Sequence, residues 1–317
     1  MSASRIAQPP LARLAEFLVH HPAVVEKALI RRAFEPAAAV AGDVPLGDDC
    51  AAIPNPSGPG HLLFAAEGML ESFVREDPWF AGYSAVMVNL SDVAAMGGRP
   101  IAITDVLWTP SEEISARIWD GMRAASAAYG VPIVGGHTTH TGSGNAALAA
   151  AVLGHAGERL ITSFDARPGD RLVIAIDMTG SYRGDKPFWN ASTGTTPERL
   201  RADLARLPEL AERELCRAGK DISNGGIVGT LAMLCNCSQV GAVLDLDRLP
   251  RPDGVPWERW LVSFPSYGYL LAVAPDRLCE VQARFRNSLI TCREIGVFRD
   301  GEGVALRFQG EEAQLAF

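Results

Sequence analysis

Acidic and glycine-rich clusters at a few points in this chain pair residue types that can hold cations or anions. Gly47-Asp48-Asp49-Cys50-Ala51 sets two carboxylates side by side. Adjacent carboxylates repel, so a cation or solvent must keep both ionised; hard oxygen donors of this kind suit Mg²⁺, and the same residues would also serve as an acidic surface turn. Glu67 closes the apolar run His61–Ala66, with Glu71 four residues on, and reads either as a ligand at a strand end or as a solvated acid. Asn89 and Asp92 stand three apart and project from one helix face beside Val88, Leu90 and Val93, which points to a partly buried polar contact. Gly135-Gly136-His137-Thr138-Thr139 follows the apolar Val131–Val134. Tandem glycine there lets backbone N–H groups approach an anion, or makes a tight turn with a hydrogen-bonded histidine. In Asp221-Ile222-Ser223-Asn224-Gly225-Gly226, Ser223 and Asn224 are ordinary helix caps, and the same helix start would also favour phosphate.

The elements that must position these groups follow from periodicity. Leu11, Leu14, Leu18, Val25 and Leu29 recur at helical spacing, giving one or two amphipathic helices over residues 9–34. His61–Ala66 and Pro100–Trp108 read as strands, and Gly82–Gly97 as a helix with Val86, Leu90 and Val93 on one stripe. Ser111 is the expected N-cap of a helix that runs to Tyr129, with Glu112 and Glu113 in its first turn and Gly130 as its stop. Strands are expected at 131–134, 146–153 and 171–176. Beyond the Ala166-Arg-Pro-Gly-Asp170 turn, helices at about 199–218 and 225–236 alternate with strands at about 242–246, 268–274 and 303–308. This mixture implies an α+β fold, divided into a helical extension (1–40), a first domain (41–160) and a second (161–317).

Bulk properties narrow the class. The chain has 317 residues, 48% hydrophobic and 21% charged, with a net charge of −8 that argues against nucleic-acid binding. No apolar run reaches the ~18–20 residues a membrane span needs, and no signal peptide is expected. Six scattered cysteines form neither a metal-type C-x-x-C site nor a disulfide framework, which fits reduced thiols in the cytoplasm. Lysine occurs only as Lys27, Lys186 and Lys220. With no G-x-x-x-x-G-K-[ST] loop, phosphate handling must rest on carboxylate-held metal.

Taken in order, G-D-D-x-A, an acid at a strand end, N-L-S-D-x-A-A-M-G, G-G-x-T and D-I-S-x-G resemble the superfamily of AIR synthase, thiamine-monophosphate kinase, selenophosphate synthetase and the hydrogenase-maturation dehydratase. The resemblance runs from about Pro45 to the C-terminus, and Asn89–Pro100 looks most like the kinase. It implies two α/β-sandwich-like domains, the first forming a dimeric β-barrel-like interface with ATP and Mg²⁺ bound there. By position it makes Asp48, Asp49, Glu67, Asp92 and Asp221 metal ligands and Asn89, Gly135, Gly136, Ser223 and Asn224 nucleotide contacts, with Asp48, Asp92 and His137 as catalytic candidates. It implies a homodimeric, ATP-dependent kinase or synthase that phosphorylates or activates a small molecule. A cyclising or dehydrating synthase, or a nucleotide-binding regulatory subunit without catalysis, are the alternatives.

Departures bear on the substrate. His137 replaces an acid of the kinase pattern, Asn224 replaces the last Asp of D-I-S-D-G, Glu67 is longer than the kinase's Asp, and Ser266-Tyr267-Gly268-Tyr269 replaces E-D-Y-E. These argue against thiamine phosphate. Ser181–Asn190 has no counterpart: Arg183 and Lys186 would hold an anion and Phe188 or Trp189 stack on a ring, or the segment is a surface loop with buried aromatics.

Overall fold

The computed structural model describes residues 9–29, 44–142 and 144–317. A first sheet holds β1 (Ala51–Pro54), β2 (His61–Gly68), β3 (Arg99–Thr109), β4 (Ile133–His140) and β5 (Ala147–Ala156) in the order β1-β2-β5-β3-β4. Two helices, α4 (Pro78–Ala95) and α5 (Glu112–Tyr129), cover one face. Helix α4 starts where Pro78 supplies a preset φ and the Asp77 carboxylate accepts from Phe80 N at 3.2 Å; a short helix α3 (Glu71–Glu76) precedes it. Helix α5 has the caps its sequence dictates: Ser111 Oγ accepts from Ile114 N at 3.3 Å, and Gly130 ends it with φ of 74°. Side chains alternate along β5 and β3, so Leu148, Ala150, Val152, Ile103 and Leu107 are buried beneath the helices.

The barrel-like dimer interface implied by the resemblance is corrected here. The sheet is open, with β1 and β4 as its two edges and no hydrogen-bonded ladder between them. Closure needs the first and last strands to pair, and β1 is only four residues long and ends on Pro54, which has no N–H to give a ladder.

The larger sheet runs β15-β14-β10-β13-β6-β12-β9. Its strands are β6 (Arg171–Asp177), β9 (Ala218–Asp221), β10 (Gly241–Asp245), β12 (Gly268–Val273), β13 (Ile290–Arg299), β14 (Gly303–Phe308) and β15 (Glu311–Leu315). Near-continuous burial along β6 and β12 shows that both faces are covered. One face packs on α7 (Arg206–Glu212) and α10 (Leu278–Phe285) through Leu207, Leu210, Val281 and Phe285. The other packs on α8 (Gly226–Ser238), α9 (Trp257–Trp260) and the two N-terminal helices, α1 (Leu11–His20) and α2 (Pro22–Leu29). Leu14, Leu18 and Val24 are at most 2% exposed in that core, so the described part of the helical extension is built into the second sheet's packing. A hairpin of β7 (Ser181–Tyr182) and β8 (Phe188–Asn190) pairs with β11 (Phe264–Pro265).

Two sequence expectations shift. The helix expected at about 199–218 is α6 (Pro197–Leu204), then α7, then strand β9, because Pro208 has no N–H to bond back to the preceding turn and tolerates only a fresh helix start. The glycine pair Gly135–Gly136 lies inside β4 rather than in a turn. A Cβ on Gly136 would sit 2.1 Å from Asp105 Oδ1 on β3, so the strand can pass there only as glycine. A Gly136→Ala variant is expected to lose about 1–3 kcal/mol of stability to this overpacking, read by urea unfolding. Unchanged unfolding would mean that Asp105 swings aside freely.

Candidate active site

Three acids far apart in sequence meet where the sheets face each other. Asp49 comes from the loop before β1, Asp92 from the last turns of α4 and Asp221 from the end of β9; one carboxylate oxygen from each lies within 4.8 Å of the others. Asp92 and Asp221 are 5% and 4% exposed, and Asp92 Oδ2 has no hydrogen-bond partner. Asp49 pairs with the ammonium of Lys220, itself 3% exposed, and accepts from Asp221 N at 3.3 Å. Asp48 turns the other way. Its carboxylate accepts from Ser163 N at 2.9 Å and Ser163 Oγ at 2.6 Å, strapping the Gly47–Cys50 loop to the segment that joins the two sheets.

So many buried acids around one lysine are electrostatically frustrated. Burial, then the neighbouring charge of Asp49, pushes Asp221 up to about 8. Burial, Asp221, Asp49 and Glu67 push Asp92 well above the usual carboxylate range. For Lys220, burial pulls downward but is outweighed by Asp49, Asp48 and Asp221, which hold it charged. Native Asp221 therefore binds its proton more tightly than the unfolded chain, and metal-free stability falls as pH rises from the unfolded value near 3.8 toward the folded value of about 8. In EDTA, the unfolding midpoint is expected to drop by several degrees between pH 6 and pH 8. Mg²⁺ should reverse most of that drop and release protons as it binds. A midpoint that is flat with pH and indifferent to Mg²⁺ would show that the acids do not share one cation.

A pocket of about 330 Å³ opens beside the acids. Asp92, Asp221 and Glu67 form one wall, Ser223 and Asn224 at the start of α8 a second, and Phe73, Phe80, Phe188, Trp189 and Phe264 an aromatic third. Glu67 is open to solvent, and partial desolvation raises its pKa against the pull of Lys27. The chain enters α8 through Gly225 and Gly226, with φ of 88° and 63°; a Cβ on Gly226 would meet Val262 C at 2.3 Å. This is why the turn beneath the pocket needs paired glycines.

The structure separates the remaining candidates. Asn89 faces the sheet, its amide donating to Ala85 O at 2.8 Å and Ala150 O at 3.3 Å. Cross-strand register aligns Glu67, Ala150, Asp105 and Gly136 on one face, so His137, the next residue, lies on the opposite face, exposed, with Nε2 3.0 Å from Thr139 Oγ1. Arg183 is paired with Asp77 and Lys186 with Glu76, and neither lines the pocket. Trp189 does line it, with its indole N–H donating to Asp177 O at 2.9 Å. Lys27, Lys220 and Asp105 were not singled out from sequence. Asp105 is 2% exposed, both its oxygens lack a partner, and burial pushes it up to about 6. A signal for the lysines existed: only three of the 29 Lys and Arg residues are lysine, and two of those three stand at this site.

Residues 47–156 match the model of the AIR synthase related protein N-terminal domain, and residues 168–309 match the C-terminal domain. The chain belongs to the AIR synthase related protein family. Among its relatives, an uncharacterized protein of Synechocystis sp. is 50% identical over 271 residues, 85% of this chain and 83% of that protein. Thiamine-monophosphate kinase of Caulobacter vibrioides is 26% identical over 292 residues, 84% of this chain and 81% of the kinase. The solved structure of Thermotoga maritima PurL complexed with ATP shares the fold, with a TM-score of 0.75 at 20% identity; the match covers 96% of this chain and 53% of that one, so this family member spans about half of PurL. Among the described residues no helix is long and apolar enough to cross a membrane.

Proposed function

We propose that this chain is an ATP-dependent enzyme that uses Mg²⁺ to transfer a phosphoryl group to a small molecule or to activate it. The observation that carries the reading is the meeting of Asp49, Asp92 and Asp221 beside a pocket large enough for a metabolite. An all-oxygen, anionic donor set with an unpartnered Asp92 oxygen suits a hard divalent cation. Asp49, Asp92 and Asp221, with Glu67 at the rim, would hold it, and Asp48 would fix the loop that carries Asp49. Bound there, magnesium supplies positive charge against the phosphates and the charge that develops on the transferred group. Lys220 pairs with Asp49 and orients its carboxylate. The start of α8, with Ser223 and Asn224 on the pocket wall, would favour a phosphate through the helix dipole, and the aromatic wall would exclude water from the acceptor. In this reading residues 41–160 bind the nucleotide and residues 161–317 complete the acceptor pocket. The kinase relative and the ATP complex of PurL support the chemistry.

A homodimer is part of the proposal. Among the described residues, the sheet face opposite α4 carries Phe64, Trp108 and Leu153 at 50%, 43% and 38% exposure, an apolar surface of the kind that pairs subunits. The six free cysteines support a cytoplasmic setting. Calorimetry with MgATP, followed by ADP release across a panel of acceptors, tests the function. Binding followed by acceptor-dependent ADP release is expected. Binding without turnover under any acceptor would instead mark a regulatory nucleotide-binding subunit, and no binding would refute the proposal.

A further inference from the structure

We infer that the pocket takes a small molecule carrying an apolar ring and an anionic group, and that Lys27 of α2 is the residue that binds the anion. The inference rests on the proposed function for the site and goes beyond it by naming the acceptor's class. Of the chain's three lysines, Lys220 is paired with Asp49 and Lys186 with Glu76. Lys27 makes no ion pair among the described residues and is the only cation among those that line the pocket.

Its placement is built rather than incidental. Leu14, Leu18 and Val24 bury α1 and α2 in the second sheet's core, and Asn236 Nδ2 donates to Ala28 O at 3.2 Å, tying the end of α2 to α8. The stem of Lys27 lies along the first turn of α8: Cβ atoms built on Gly225 and Gly229 would stand 3.1 and 3.4 Å from its Cγ and Cβ. A Cβ at Gly225 would crowd that stem, whereas Gly229 stands in ordinary contact with it. Packing the stem this way leaves the ammonium at the pocket wall while its methylenes stay dry.

The charge of Lys27 reaches Glu67 and Asp221 and pulls both downward, but no ion pair ties it to either among the described residues; a cation held by those acids would leave the ammonium to a ligand anion. The opposite wall fixes the rest of the ligand. Phe73 and Phe188 are tilted with ring centroids 4.8 Å apart, and Phe188 meets Phe264 edge-to-face at 6.2 Å, an aromatic wall that suits an apolar ring. A carboxylate and a phosphate monoester share the required chemistry.

Calorimetry on the full chain with Mg²⁺ separates the cases, using phenylpropionate, phenethyl phosphate, phenylpropanol and phenylpropylamine as probes. One or both anions should bind about tenfold or more tightly than the alcohol and the amine, and which anion binds identifies the source. Lys27→Met should remove that preference and Lys27→Arg should restore most of it, with circular dichroism confirming that both variants fold. Preference for the amine, binding of no probe, or an anion preference that survives Lys27→Met would each overturn the inference. MgATP titrated into the unaltered protein keeps the two failures apart. If MgATP binds and the anion preference is absent, this inference alone fails; if MgATP does not bind, the proposed function fails with it.

Discussion

An Asp92→Asn variant is expected to lose ATP-dependent turnover by a factor on the order of 10³ or more while its metal-free fold becomes more stable, not less. The two effects have one cause. Asp92 is 5% exposed and held among Asp221, Asp49 and Glu67, and one of its oxygens has no partner. An amide has the same shape and no charge, so it removes repulsion that the apo protein otherwise bears once the cluster ionises. The gain should be smaller at pH 5, well below the value of about 8 to which Asp221 is pushed, and about 1 kcal/mol or more at pH 8. Mg²⁺ should then fail to raise the unfolding midpoint. Steady-state ADP release together with urea unfolding at the two pH values reads both halves. Full turnover in the variant, or a loss of stability at pH 8, would show that Asp92 is an ordinary buried polar residue.

Lys220→Met should have the opposite signature. The lysine is 3% exposed and is the ion-pair partner of Asp49, so its loss leaves an uncompensated buried carboxylate. Removing one member of such a pair costs about 3–5 kcal/mol. Adding Asp49→Asn should return a large part of that loss, because the two side chains are coupled. Mg²⁺ should also restore part of it in the single variant. Urea unfolding of the four members of this cycle in EDTA is the measurement. Additive losses would mean that Lys220 stabilises the fold through its stem packing, with its charge irrelevant.

Much of the local structure was legible from sequence because it depends on near neighbours. Ser111 and Gly130 bracket α5 as their chemistry requires, and the apolar stripe Val86-Leu90-Val93 marks α4. The acids were legible as acids, but which of them converge was not. Asp48 and Asp49 are identical in type and adjacent, yet one is spent on Ser163 and the other meets Asp92 and Asp221. That choice is set by loop geometry after the sheets have packed. The same holds for Gly135–Gly136, where tandem glycine suggests backbone approach to an anion or a tight turn. The pair lies within β4, where Gly136 lets the strand pass the Asp105 carboxyl and Gly135 has room for a Cβ. Arg183 and Lys186 pointed toward an anion, but carboxylates on the neighbouring helices claim them first. Lys27 lies in the helical extension, outside the stretch that carries the motifs, and burial of that extension against α8 brings it to the pocket.

The most direct measurement is anomalous diffraction at the manganese edge from crystals grown with Mn²⁺ and a non-hydrolysable ATP analogue. Manganese density bonded to oxygens of Asp49, Asp92 and Asp221, with the analogue's terminal phosphate on the same ion, is the expected result. Metal and nucleotide bound elsewhere, with the three acids still gathered only around Lys220, would contradict it.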